Sequence, residues 1–250
     1  MKLLTQFSLL LLACCYISTG VYAADAPMVR EVFACNFKKG KDMDDLMAAR
    51  DFFVRQTAKM DVGEQEHFVW TPYKVNTPYD FLWFSNSPDL VSFGKDSDTF
   101  NNSPEGQAAQ ARFDQVADCT SAIAMRRQIF ATEGGFSGGP PAIINSSACK
   151  IRKGVDETDL EDLWNHINGV LTGLKLKNGL LGFVSVPMVA SPNSPDLYLY
   201  GVQGSMEDWA TTQVALASSP AGPNLRRHFN LKLDCSASLW FGQRVVPLPE

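Results

Sequence analysis

Eight polar or aromatic side chains, Arg30, Asn36, Arg126, Arg152, Tyr198, Tyr200, Trp240 and Arg244, occupy alternate positions of segments that alternate in hydropathy. Alternate residues of a strand share a face. Six of the eight therefore belong to the face opposite the one carrying Phe33, Cys35, Phe37, Ile123, Met125, Ile151, Leu239 and Phe241, and Tyr198 and Tyr200 join them if Leu197 and Leu199 are given to the helix side. Small residues, among them Ala34, Ala122, Ala124, Ser236 and Ser238, share the face of the eight, and Phe68 and Trp70 can join it. A partly enclosed surface of cations, rings and small residues suits a small anionic or aromatic ligand, because low dielectric strengthens charge pairing and the small residues leave room. A plainer account competes, in which Asp80 and Asp196 pair with the cations across the sheet.

His166, within Trp164-Asn165-His166-Ile167-Asn168, is the candidate acid/base or axial ligand. A helix-surface or satisfied core histidine is the bland alternative, and the same holds for His67 and His228. Gly134-Gly135-Phe136-Ser137-Gly138-Gly139 is glycine-flanked like a hydrolase nucleophile, but it lacks the strand-turn-helix context that gives such a motif meaning, and it reads as a connector. The cysteines show no close-spaced pair or Cys/His knuckle, so no metal is expected.

The elements that position these residues are written twice. Ala34-Cys35-Asn36-Phe37-Lys38-Lys39-Gly40 returns as Ala148-Cys149-Lys150-Ile151-Arg152-Lys153-Gly154, 114 residues later. Ser103-Pro104-Glu105-Gly106 with Phe113 and Asp118-Cys119 returns as Ser219-Pro220-Ala221-Gly222 with Phe229 and Asp234-Cys235, 116 residues later. A near-constant offset of that length marks a duplicated domain and not a solenoid. Treating the halves alike pairs Cys35 with Cys119 and Cys149 with Cys235. A four-thiolate metal site is the rival.

Periodicity predicts the same order in each half. The first half reads strand 29–37, helix 42–59, strands 67–74 and 79–85, helical pieces 87–100 and 105–116, and strand 119–129. The second reads strand 147–152, helix 157–174, strands 181–188 and 196–202, helical pieces 206–217 and 224–231, and strand 235–246. The order β-α-β-β-α-β is the ferredoxin-like split βαβ, in which the first and last strands are antiparallel neighbours. The expected domains are 24–130 and 145–250, joined by a Gly/Pro-rich linker over 131–144.

Two such units in one chain resemble the dimeric α/β-barrel superfamily. The resemblance covers nearly all of the chain after residue 23 and carries no active-site signature. It implies an α+β fold of two tandem ferredoxin-like repeats packed as a pseudo-dimeric α/β barrel, with the two sheets face to face and the helices outside. The superfamily includes cofactor-independent monooxygenases, haem-degrading enzymes, haem-dependent chlorite dismutases and lactone isomerases, so it implies a menu of activities. Haem would need an axial ligand, for which only isolated histidines offer themselves; we expect no cofactor.

Residues 1–23 combine Lys2, an apolar run through Leu9-Leu10-Leu11-Leu12 and the small-residue ending Val21-Tyr22-Ala23, the pattern of a secretory signal. The expected location is secreted or periplasmic, where disulfides persist. The chain has 22 basic and 27 acidic side chains, a net charge of −5, which disfavours generic nucleic-acid binding. The remaining expectations are a small-molecule ligand, no stable membrane span after cleavage, and a monomer or homodimer. The leading function is binding of an anionic or aromatic small molecule between the sheets. The alternatives are a cofactor-independent monooxygenase or isomerase and a non-catalytic interaction module.

Overall fold

The computed structural model describes residues 28–63, 65–133 and 141–246. The expected signal segment and half of the connector, residues 134–140, lie outside the described residues. The first half comprises β1 (Met28–Phe37), α1 (Met43–Thr57), β2 (Glu66–Lys74), β3 (Phe81–Ser87), α2 (Leu90–Asn102), α3 (Pro104–Asp114) and β4 (Ala117–Ala131). The second comprises β5 (Ala142–Ile151), α4 (Glu157–Gly173), β6 (Leu180–Val189), β7 (Leu197–Gln203), α5 (Met206–Ser218), α6 (Ala221–Lys232) and β8 (Leu233–Arg244). The strand that opens the second half begins at Ala142, five residues before the expected 147, where Ala142 pairs with Gly242.

The same local chemistry starts both halves. Gly40 and Gly154 adopt left-handed backbone, with φ of +75° and +86°, which lets the chain turn sharply out of the first strand. Asp42 then caps α1, its carboxylate accepting from the Asp44 and Asp45 backbone N–H groups, and Asp156 caps α4 in a reciprocal box with Asp159.

Each half has the strand order of the split βαβ, and the edges join: the eight strands close as β1-β3-β2-β8-β5-β7-β6-β4. The halves meet where β2 pairs with β8 and where β4 pairs with β6. The two sheets are thus one closed antiparallel barrel, which leaves no exposed sheet edge. Cys35 lies opposite Cys119 and Cys149 opposite Cys235 across the ladders, and both pairs are disulfides, as the duplication predicts.

Strand parity divides the core into three. Outside the barrel, Leu46, Ala49 and Phe113 of the helices pack on Cys35, Val69, Phe81 and Trp83 in the first half. Leu163, Trp164, Ile167 and Phe229 pack on Cys149, Val184, Leu197 and Leu199 in the second. Phe81 and Leu197 are each 1% exposed, and burial of such side chains stabilises by about 2–3 kcal/mol apiece. Inside the barrel, Trp70, Phe84, Ile144, Phe183, Tyr200 and Trp240 form a separate buried cluster.

Candidate functional site

The barrel interior collects several of the predicted residues. Trp240 is buried and its indole Nε1 donates to Ser146 Oγ at 3.0 Å. Its ring lies 6.4 Å from Trp70, and Trp70 lies 5.4 Å from Tyr200. Arg30 projects into the same space, over Phe84 at 4.7 Å and Tyr200 at 5.0 Å. Arg126 lies over Phe183 at 3.9 Å, and Arg244 reaches Glu66 at the rim. The middle of the space between the sheets is therefore filled with rings.

Three predicted residues are not brought to that cluster. Asn36 is exposed at the end of β1, opposite Asp118. Arg152 follows the last residue of β5, and its Nε turns back to donate to the Leu233 carbonyl at 3.3 Å. Tyr198 is 37% exposed, and partial burial together with Tyr79 raises its pKa. Asp196 takes the plainer role foreseen for it: it accepts from Lys150 Nζ and the Ile151 backbone N–H, and these bonds lower its pKa. His166 packs on His228, ring centroids 4.7 Å apart, and its buried Nε2 has no hydrogen-bond partner.

A feature the residue-by-residue reading missed lies on the helix side of the second half. In the first half, Phe53, His67, Trp83, Phe100 and Phe113 close the space between helices and sheet. Their ring centroids are 5.0 Å apart for Phe53–His67, 5.8 Å for His67–Trp83, 5.2 Å for Trp83–Phe113 and 6.0 Å for Phe53–Phe100. Burial holds the His67 imidazole neutral, its pKa lowered to about 4.

The register identifies the counterparts. Phe81 and Leu197 each face a bridging cysteine, which sets Trp83 against Leu199. His67 faces Ser85 and Gly182 faces Gly201, which sets His67 against Gly182. The caps Asp42 and Asp156 align Phe53 with Ile167. Gly106 sits against the Phe100 carbonyl and Gly222 against that of Leu216, which aligns Phe100 with Leu216 and Phe113 with Phe229. Four of the five rings are lost, and all five counterpart residues line an open cavity of about 910 Å³.

The remaining lining is mixed. Gln203 and Thr212 occupy its floor but are bonded to each other, Gln203 Nε2 donating to Thr212 Oγ1 at 2.8 Å. Arg226 and Arg227 of α6 stand at its margin, and among the described residues the lining contains no Asp, Glu, His or Cys. The cavity falls within the size range of small-molecule sites. The group that one branch of the resembled superfamily carries, haem, does not fit it. His166 and His228 lie against each other outside the lining, and Tyr200, although it borders the cavity, directs its ring at Trp70, Phe183 and Arg30 inside the barrel. Among the described residues no three His, Cys, Asp or Glu side chains group as metal ligands, and no helix is long and apolar enough to cross a membrane.

No protein-family model matches the sequence, and no curated protein matches it. Solved structures do match over most of the chain. A protein provisionally named a monooxygenase from Fusobacterium nucleatum is 12% identical with a TM-score of 0.58, covering 88% of this chain and 94% of that one. Another provisionally named monooxygenase, from Lactobacillus acidophilus, is 6% identical with a TM-score of 0.56, covering 88% and 95%. A variant of chlorite dismutase from Candidatus Nitrospira defluvii in complex with cyanide is 12% identical with a TM-score of 0.51, covering 87% and 91%. The chain therefore has the duplicated, ferredoxin-like fold of the dimeric α/β-barrel superfamily. At these identities the likeness is one of fold.

Proposed function

We propose that the chain is an exported enzyme of the dimeric α/β-barrel type, a cofactor-independent monooxygenase or isomerase, that takes a small, largely apolar substrate into the helix-side cavity of its second half. The observation that carries this reading is the replacement of Phe53, His67, Trp83 and Phe100 by Ile167, Gly182, Leu199 and Leu216 at equivalent positions, all of which line the cavity. A duplicated core emptied on one side only is the form a single binding site takes in a repeated scaffold. The names of the similar structures support an oxygenase. The ligand expected between the sheets finds the middle of that space filled by the ring cluster. Export is supported by the N-terminal pattern and the two disulfides.

The lining supplies cations, amides and hydroxyls but, among the described residues, no carboxylate, imidazole or thiol, so the substrate must bring its own acidity. An activated CH₂ between aromatic rings would meet this need, its anion favoured by Arg226 and Arg227. Such a substrate is itself the reductant: one atom of O₂ enters to give C=O, and the other leaves as water with the two hydrogens. The lack of a base in the lining also favours a second reading, a carrier with the same cavity.

The test is oxygen consumption and product formation with a panel of anthrone-like and quinol-like compounds, in wild type and in Leu199→Trp, which restores the ring of the first half. Turnover abolished in Leu199→Trp supports the enzyme. A retained ligand in native mass spectra, lost in Leu199→Trp without turnover by wild type, supports the carrier. Turnover undiminished by the filled cavity overturns the site.

A further inference from the structure

One end of the barrel interior brings the guanidinium groups of Arg30, Arg126 and Arg244 together with the carboxylate of Glu66. Glu66 accepts from Arg244 and, at 3.3 Å, from Asn86 Nδ2. The Asn86 carbonyl in turn accepts from Arg30 Nε at 2.8 Å, so Glu66 serves Arg244 directly and Arg30 through an amide. Neither Arg30 nor Arg126 forms an ion pair among the described residues. Arg126 rests on Phe183, reaches only the weak acceptor Met28 Sδ at 3.5 Å, and leaves its buried Nε without a partner.

Tyr200 stacks on Phe183 at 5.2 Å and is 6% exposed; its buried hydroxyl interacts with the Arg30 guanidinium but forms no well-shaped hydrogen bond, and its own proton has no acceptor. Arg30 is 4% exposed over the same Tyr200 ring. Burial lowers its pKa to about 10, Tyr200 and Glu66 oppose that and Arg126 adds to it, so it stays charged at neutral pH. A buried cation without a carboxylate needs another source of negative charge, and a buried donor without an acceptor needs an oxygen.

We propose that this end of the barrel is an oxyanion site, in which a compact carboxylate, sulfate or phosphate group accepts from Arg126 Nε and the Tyr200 hydroxyl and balances the charge of Arg30 and Arg126. Access is from the rim, where the Glu66 and Arg244 side chains are each 31% exposed. The site uses both halves: β1 and β4 of the first supply Arg30 and Arg126, and β7 of the second supplies Tyr200. Arg30 and Arg126 lie outside the lining of the helix-side cavity, whereas Tyr200 and Phe183 border both places.

The test is calorimetric titration of the full chain with acetate, benzoate, sulfate and phosphate at constant ionic strength, against chloride. Saturable binding of the carboxylates or of the inorganic anions identifies the source. It should weaken at least tenfold in Arg126→Gln and in Tyr200→Phe, the latter keeping the ring on Phe183 and removing only the donor. Leu199→Trp should leave it unchanged, which separates this site from the cavity. No saturable binding beyond chloride, or binding equal in wild type and both variants, overturns the proposal.

Discussion

Trp83 and Leu199 occupy the same place in the two halves, each two residues beyond the one that faces a bridging cysteine, yet one packs on Phe113 at 5.2 Å and the other lines a cavity. Duplication makes each half a control for the other. Trp83→Leu should open in the first half the hollow that the second already has, at a cost of about 2–4 kcal/mol in urea unfolding. Leu199→Trp should instead be neutral or stabilising, since it fills space already present. Equal destabilisation by both changes would show that the second half is closed in solution.

Glu31 and His67 titrate in overlapping windows with opposite effects. Burial raises Glu31 from 4.5 to about 7, so its contribution is fully present below pH 4.5 and is lost as pH rises to 7. Burial lowers His67 from 6.5 to about 4, so its contribution is fully present above pH 6.5 and is lost as pH falls to 4. Each is worth about 3 kcal/mol. Wild-type stability should be nearly flat between pH 4.5 and 6.5. Glu31→Gln should expose the loss toward acid, and His67→Phe, which keeps a ring in the core, the loss toward neutrality. Urea midpoints across pH 4–8 measure both slopes.

What could be read in advance follows from what parity knows. Alternation placed Arg30 and Trp240 inside because each lies within a strand whose other face carries a cysteine, and Tyr200 inside once Leu197, which faces Cys149, is given to the helix side. It failed for Arg152 because parity continues past the end of β5, where the chain has already turned. The hollow was hidden for another reason. Its lining comes from β4 to β7 and α4 to α6, and no single residue is unusual. The signal was present in the alignment of the halves, as Phe53/Ile167, Trp83/Leu199 and Phe100/Leu216, where rings give way to aliphatic side chains at the repeat offset. The cation excess at the rim needed the barrel closure, since Glu66 and Arg244 come from different halves.

The repeated Ser-Pro-x-Gly has a steric cause. A Cβ on Gly106 would lie 1.9 Å from the Phe100 carbonyl oxygen, and one on Gly222 would lie 1.9 Å from that of Leu216. Backbone cannot yield as a flexible side chain does. Gly106→Ala and Gly222→Ala should each cost about 1–3 kcal/mol or more, whereas Gly94→Ala, with open space around it and a helical position, should be neutral or better. Comparable effects at all three sites in thermal unfolding would refute the steric reading.

The two disulfides should differ in consequence although they are alike in place. Their half-cystines are separated by 84 and 86 residues, for which loop entropy predicts nearly equal stabilisation, on the order of 4 kcal/mol each. What they tie down is unequal. The first joins strands under a helix layer locked by five rings; the second joins strands whose helix layer rests over the cavity. Local opening follows the packing that remains once the constraint is gone. In Cys149→Ser/Cys235→Ser, backbone amides of α5 and α6 should therefore lose hydrogen-exchange protection well before the global limit. In Cys35→Ser/Cys119→Ser, those of α2 and α3 should stay close to it. Protection lost equally in both variants would mean that the closed barrel, and not the helix layer, sets the unit of opening.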